Sequence, residues 1–201
     1  MLVDLRRCIG CHACSVSCKT EHNVALGGFR TRVRYLHQER VAPEATSIAF
    51  LPLLCMHCQD APCMDVCPTK ALERGADGHV SVNDDRCVGD KACIAACPYG
   101  AIHIDPQTKQ ADKCDFCSDR TAYGLEPACV TVCPTEALRF GDFDDASDLV
   151  TQYAAANNAL PFKEKAGTKP SVLYIGHKPW MEDKAKSIQL LPDDEDIIYE
   201  Q

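Results

Sequence analysis

The sequence of 201 residues predicts an α+β fold, in which short strands and short helices form repeated units around bound metal. Two observations support this prediction. Fifteen cysteines are gathered into four groups, and the phrase Cys-Pro-x-x-Ala followed by Leu or Ile occurs three times, at Cys67, Cys97 and Cys133. Such self-similarity indicates a repeat architecture, whose unit here is one cysteine group with the short elements around it.

The four cysteine groups have related spacings. The first group follows C-x2-C-x2-C-x3-C and consists of Cys8, Cys11, Cys14 and Cys18. The second and fourth groups are Cys55, Cys58, Cys63, Cys67 and Cys114, Cys117, Cys129, Cys133. The third is Cys87, Cys93 and Cys97, with Asp90 where a cysteine would complete the spacing of the first. Fifteen cysteines and one carboxylate make sixteen candidate ligands, enough for four cubane clusters.

Thiolate is a soft ligand that suits iron–sulfur clusters, copper(I) and zinc. In a C-x2-C-x2-C run three thiolates bind one cubane, and the fourth cysteine, which precedes proline, ligates the other cluster of a pair, as in bacterial two-cluster ferredoxins. The sequence therefore predicts a protein that transfers electrons through several iron–sulfur clusters. We expect no catalysis by the chain alone, because the cofactors carry the chemistry.

Three other uses of the cysteines fit the sequence less well. Disulfides are disfavoured by the odd number of cysteines and by the tight C-x2-C spacing. Zinc sites use C-x2-C pairs separated by longer loops, which does not explain repeated triplets followed by Cys-Pro. The segment from Cys8 to His12 matches the C-x-x-C-H haem attachment motif, but haem would leave Cys14 and Cys18 unused. We expect His12 and His57 to be loop residues or neighbours of ligands rather than ligands.

The elements between the cysteine groups are short. Residues 79–83, 102–105 and 138–140 predict strands. Alternation over residues 29–35 predicts a strand with three arginines on one face, either solvated or in contact with an acidic partner. After the last group we predict a helix over 146–154, capped by Asp144 or Asp145 and ended by Pro161, then a strand over 171–175. The acidic residues 193–196 predict a solvated or disordered end.

Composition narrows the classes of partner. The net charge of −8 argues against a nucleic-acid partner. The longest apolar run, residues 48–56, is interrupted by Pro52 and is shorter than the roughly 20 residues of a membrane-spanning helix. No signal-peptide pattern precedes Cys8, so we expect no membrane span and no export signal.

Asp90 has three possible roles. A carboxylate is a harder ligand than thiolate and binds cluster iron less strongly, so the corner that it faces is labile. Asp90 either ligates a fourth iron, or faces a three-iron cluster that lacks this iron, or is only surface charge beside such a cluster. We favour the three-iron cluster.

Four stretches of the sequence carry a resemblance to a known family. They lie at residues 7–14, 63–69, 112–117 and 126–135. In these stretches the chain resembles the iron–sulfur electron-transfer subunits of the molybdopterin oxidoreductases related to dimethyl sulfoxide reductase, most closely those of polysulfide and thiosulfate reductases. The likeness covers about residues 2–142 and extends more weakly to Gly176.

The resemblance implies two interlocked ferredoxin-like halves: residues 1–48 with 106–142 outside, residues 49–105 inserted, and 143–201 as an extension that contacts partners. It also implies three [4Fe–4S] clusters, ligated by Cys8, Cys11, Cys14, Cys133 (cluster one), by Cys18, Cys114, Cys117, Cys129 (cluster two) and by Cys55, Cys58, Cys63, Cys97 (cluster three). Cluster four would be held by Cys67, Cys87 and Cys93, with Asp90 at the open corner, as a [3Fe–4S] or Asp-ligated [4Fe–4S] cluster.

The family's clusters form a wire between a molybdopterin catalytic subunit and an integral membrane quinone-reactive subunit, with cluster four at the membrane end. We therefore expect a membrane-associated complex on either the cytoplasmic or the periplasmic face, the latter by co-export with a signal-bearing partner. The direction of electron flow stays open, because a three-iron cluster at the quinone end suits both directions. The alternatives are a stand-alone polyferredoxin and the equivalent subunit of a formate dehydrogenase or hydrogenase.

Overall fold

The computed structural model describes residues 1–38 and 47–182. The acidic residues 193–196 lie outside the described residues, as does the end of the predicted extension. The helices are α1 (Ala13–Glu21), α2 (Pro62–Asp65), α3 (Ala92–Ala96), α4 (Ser118–Thr121), α5 (Ala128–Thr131) and α6 (Leu149–Ala156), with one 3-10 turn at Glu164–Ala166. The first five strands are β1 (Leu2–Asp4), β2 (Arg32–Gln38), β3 (Ser47–Leu53), β4 (Leu72–Arg74) and β5 (Val80–Val82). The remaining strands are β6 (Ile102–Ile104), β7 (Ala111–Lys113), β8 (Leu138–Arg139), β9 (Leu160–Pro161) and β10 (Leu173–Ile175). This mixed content is consistent with the predicted α+β class.

Three antiparallel hairpins and one four-stranded sheet contain these strands. β2 pairs with β3, β4 with β5, and β6 with β7. The fourth sheet has the order β8-β1-β10-β9, in which β1 is antiparallel to β8 and parallel to β10. The strands predicted over 79–83, 102–105, 138–140 and 171–175 are confirmed as β5, β6, β8 and β10.

Four of the helices carry cysteines and pack in two pairs. Helix α1 contains Cys14 and Cys18 and packs against α5, which contains Cys129. Helix α2 contains Cys63 and packs against α3, which contains Cys93. Because each pair joins helices from distant parts of the chain, cysteines of different groups are brought together.

Several of the described residues after 142 are part of the core. Tyr174 in β10 is fully buried, and its hydroxyl donates to the carbonyl oxygen of Pro52 in β3 at 2.8 Å. Asp4 in β1 is also fully buried and accepts hydrogen bonds from the Arg6 guanidinium and from the Tyr153 hydroxyl of α6. The C-terminal segment is thus attached to the first strand and to the β2–β3 hairpin.

The predicted face of three arginines was wrong. β2 begins at Arg32, so Arg30 precedes the strand. The Arg30 guanidinium forms ion pairs with Asp112 at 2.8 Å and Asp115 at 3.0 Å. Arg32 donates to the carbonyl oxygen of Gly100. At least two of the three arginines therefore bind acceptors within this chain.

The predicted helix near residue 150 is present, but its predicted cap was wrong. The helix begins after Asp148, whose side chain accepts from the backbone N–H of Val150 at 2.7 Å. Asp145 instead accepts from the backbone N–H of Ser147, in the turn before the helix. Several aspartates precede this helix, and only the one nearest the first turn can cap it.

Candidate iron–sulfur cluster sites

All fifteen cysteines lie in the described part of the chain, and none of them forms a disulfide. Ten are buried, four are partly exposed, and Cys11 is exposed. A disulfide framework is therefore not what holds this fold together. The buried thiols are available as ligands.

One pocket joins the second cysteine group to the last cysteine of the third. Its lining includes Cys55, Cys58, Cys63 and Cys97. Helices α2 and α3 pack together here, which brings Cys97 beside cysteines that precede it by more than thirty residues. The side chains of Met56, Val80 and Ile102 contribute apolar surface to the lining.

A second pocket joins the last cysteine of the second group to the rest of the third. Its lining includes Cys67, Cys87, Asp90 and Cys93. The loop of residues 88–91 forms one wall, and Leu72, Val82 and Ala111 contribute apolar surface. Asp90 thus lies in the lining of the same pocket as three cysteines.

The first and fourth groups also meet. The pKa of Cys14 is raised to about 11, chiefly by burial and in smaller part by Cys8 and Cys133. Burial likewise raises the pKa of Cys18 to about 12, with a further contribution from Cys117. The pKa of Cys129 is raised by burial and then by Cys117 and Cys18. The contact between α1 and α5 thus brings cysteines of the first and fourth groups near one another.

Backbone N–H groups are directed at several of the sulfur atoms. Ala137 donates to Cys133 Sγ at 3.2 Å, Ala71 to Cys67 Sγ at 3.3 Å, and Ala111 to Cys87 Sγ at 3.4 Å. Hydrogen bonds to the ligand sulfurs are among the factors that set the potential of an iron–sulfur cluster.

The separation of the sulfur atoms distinguishes a cluster from a single ion. Zn–S bonds of about 2.3 Å in a tetrahedral site place the sulfurs only about 3.8 Å apart. Among residues 1–38 and 47–182, the only group of three or more His, Cys, Asp or Glu ligand atoms that all lie within 4.8 Å of one another is His22, Asp115 and Cys117. No three cysteine sulfurs of these residues all lie that close together, which argues against a tetrahedral zinc site.

The structure adds residues near the cysteines that the sequence did not single out. His22 is one, because its Nε2 lies 3.1 Å from Cys117 Sγ. Lys113 is another, with only 2% of its surface exposed. No local pattern marks either residue, because each depends on contacts between distant segments.

His57 is a fully buried loop residue with a left-handed backbone (φ 43°), in keeping with its predicted loop position. Its Nδ1 accepts from the backbone N–H of Val80 at 2.9 Å, and its ring stacks on Phe116 with centroids 3.6 Å apart. Burial lowers the pKa of His57 well below its usual value. The ring is therefore neutral and lies between the second and fourth cysteine groups.

The fold and these cysteine sets define a protein that binds iron–sulfur clusters, and comparison with known families agrees. Residues 46–143 match the model of a 4Fe-4S dicluster domain, and residues 7–71 match a second model of the same description. One relative is a component of the polysulfide reductase of Wolinella succinogenes, to which the chain is 44% identical over 179 residues. This match covers 89% of the present chain and 94% of that protein.

Two further relatives have related names. The chain is 47% identical over 147 residues to the thiosulfate reductase electron transfer subunit PhsB of Salmonella typhi, covering 73% of this chain and 77% of that protein. It is 43% identical over 178 residues to a component of the tetrathionate reductase of Salmonella typhimurium, covering 88% and 71%. The chain therefore belongs to this family of iron–sulfur electron-transfer subunits, which confirms the family predicted from the sequence.

None of the helices in residues 1–38 and 47–182 is long and apolar enough to cross a membrane.

Proposed function

We propose that this chain holds four iron–sulfur clusters and relays electrons between a molybdopterin catalytic subunit and a membrane quinone-reactive subunit, without catalysing a reaction itself. The observation that carries the proposal is the convergence of cysteines from different groups on the same two pockets. Reductase subunits among the relatives support a fixed subunit over a stand-alone polyferredoxin.

We propose the four ligand sets expected from the family. The two pockets support cluster three at Cys55, Cys58, Cys63 and Cys97 and cluster four at Cys67, Cys87, Cys93 and Asp90. The α1–α5 contact supports cluster one at Cys8, Cys11, Cys14 and Cys133 and cluster two at Cys18, Cys114, Cys117 and Cys129. Each cluster then takes one ligand from a distant cysteine group, which is the basis for proposing two ferredoxin-like halves with residues 49–105 inserted.

For cluster four we propose a [3Fe–4S] cluster. Asp90 lies in the pocket of this cluster where the other three sets have a fourth thiolate. A carboxylate does not replace thiolate as a soft ligand for cluster iron. The cluster type is one of the factors that set the potential, so this cluster should differ most from the other three.

The partners are proposed from the relatives and from the resemblance. Polysulfide, thiosulfate and tetrathionate reductases are the complexes that the relatives' names contain. A small sulfur compound is accordingly the substrate class proposed for the catalytic partner, with membrane association supplied by a separate subunit. Residues 143–182 offer an additional segment for contact with either partner.

Replacement of Cys97 tests the ligand sets. If each group held its own cluster, Cys97→Ser would damage the cluster bound by Cys87 and Cys93. Under the proposed sets it damages cluster three, and Cys67→Ser damages cluster four instead. EPR spectra of the oxidised and reduced complex separate the outcomes, because an oxidised three-iron cluster is paramagnetic. Loss of that signal in Cys97→Ser, but not in Cys67→Ser, would refute the proposed sets.

A further inference from the structure

A buried lysine has no acidic partner in the described structure. Lys113, at the end of β7, is 2% exposed. Its ammonium donates to the carbonyl oxygen of Cys114 at 3.0 Å and, at close range, to the carbonyl oxygen of Val80. Among the ion pairs of residues 1–38 and 47–182, none includes Lys113. A charge removed from water in this way is unfavourable unless an opposite charge lies nearby.

Lys113 lies where the second and fourth cysteine groups meet. His57, between Cys55 and Cys58, stacks on Phe116, between Cys114 and Cys117. Charge on Cys55 adds to the effect of burial in raising the pKa of Cys114, so these two groups are neighbours. In the proposed ligand sets they belong to clusters three and two.

Lys113 interacts with residues of both the second and the fourth cysteine groups. Burial raises the pKa of Cys63 to about 12, and the Lys113 ammonium opposes that increase. The same ammonium adds to the effect of burial in lowering the pKa of His57. On the other side Lys113 is bonded to the backbone of Cys114. The groups that face it are thus backbone carbonyls, a neutral histidine and cysteines.

We propose that Lys113 is the internal counter-cation of clusters two and three, and that it raises the reduction potential of both. The proposal rests on the ligand sets proposed above. A cubane with four thiolates is an anion, and reduction by one electron makes it more negative. In a low-dielectric interior a fixed positive charge stabilises the reduced form more than the oxidised form. Lys113 would thereby make clusters two and three, which lie at the junction between the two halves, easier to reduce.

Three variants separate charge from hydrogen bonding. Lys113→Met removes both, Lys113→Gln keeps a donor without the charge, and Lys113→Arg keeps the charge. Lys165→Met is the matched control, because it removes an exposed ammonium from the 3-10 turn. The assay is an EPR-monitored redox titration of each purified complex, with iron content measured in parallel.

We expect two of the four clusters in Lys113→Met and Lys113→Gln to become at least tenfold harder to reduce, which is about 59 mV for a one-electron couple. Lys113→Arg and Lys165→Met should titrate like the wild type. If Lys113→Met fails to take up iron, Lys113→Gln alone must show the shift. Four intact clusters with unchanged potentials in Lys113→Gln would overturn the counter-cation proposal. A wild-type complex with fewer than four clusters would instead overturn the proposed function.

Discussion

Gly89 is the position where the addition of one methyl group should have the largest local effect on a proposed cluster. It lies between Cys87 and Asp90 with a left-handed backbone (φ 70°). A Cβ atom there would collide with the carbonyl oxygen of Lys109, in the turn between β6 and β7. That turn is held by a hydrogen bond from Lys109 N–H to the Asp105 carbonyl at 2.9 Å, so the oxygen cannot simply move away.

The expected cost has two parts. A residue with a side chain in the left-handed conformation costs about 1–2 kcal/mol. The collision adds about 1–3 kcal/mol, the range for overpacked sites. Gly78→Ala is the control, because Gly78 has a similar φ of 82° but no atom within 4 Å of the added Cβ. The control carries the first cost without the second.

The assay is the intensity of the oxidised three-iron EPR signal per iron in each variant complex. Gly78→Ala should retain the wild-type signal. Gly89→Ala should lose most of it, since relief of the collision displaces the loop that carries Asp90 and adjoins Cys87. Equal signals in the two variants, at full iron content, would refute the placement of cluster four against this loop.

Two other predictions concern the cluster type and the C-terminal segment. Asp90→Cys should add about one iron atom per chain and remove the oxidised three-iron EPR signal, because it supplies the missing thiolate; an unchanged signal and iron content would contradict the role given to Asp90. Tyr174→Phe leaves the buried carbonyl of Pro52 without its donor, at a cost of about 1–3 kcal/mol. It should accelerate loss of visible absorbance in denaturant by up to about 5–160-fold, whereas Tyr123→Phe, at a residue that is 85% exposed, should not. Equal rates in the two tyrosine variants would show that β10 does not stabilise the cluster-bearing core.

The elements that could be predicted from the sequence are those fixed by local pattern. Alternation marked β5 and β6, and helical spacing marked α6. The cap of α6 was misplaced because several aspartates precede it and only Asp148 reaches the backbone N–H of Val150. The parallel pairing of β10 with β1 could not be predicted, since it joins Leu2 to Leu173 and no local signal specifies such a long-range contact.

For the candidate sites, too, local patterns could be predicted from the sequence and long-range contacts could not. The cysteine spacings predict the ligands, because ligand spacing is a local property of the chain, and the ligand sets themselves stay a prediction. The arginines at 30 and 32 were misread, because alternation alone does not show that Asp112 and Asp115 face one of them. The burial of Lys113 could not be predicted for a related reason. Its burial depends on how β5, β7 and two cysteine groups pack together, and a lysine before a cysteine carries no signal of burial.

The number and type of clusters test the central claim most directly. The measurement is iron and acid-labile sulfide per chain, together with EPR of the oxidised and reduced complex. Four clusters predict about fifteen iron atoms per chain, one paramagnetic three-iron cluster when oxidised, and three four-iron clusters that become paramagnetic on reduction. Stoichiometric zinc, or iron for only two clusters in a fully loaded complex, would contradict it.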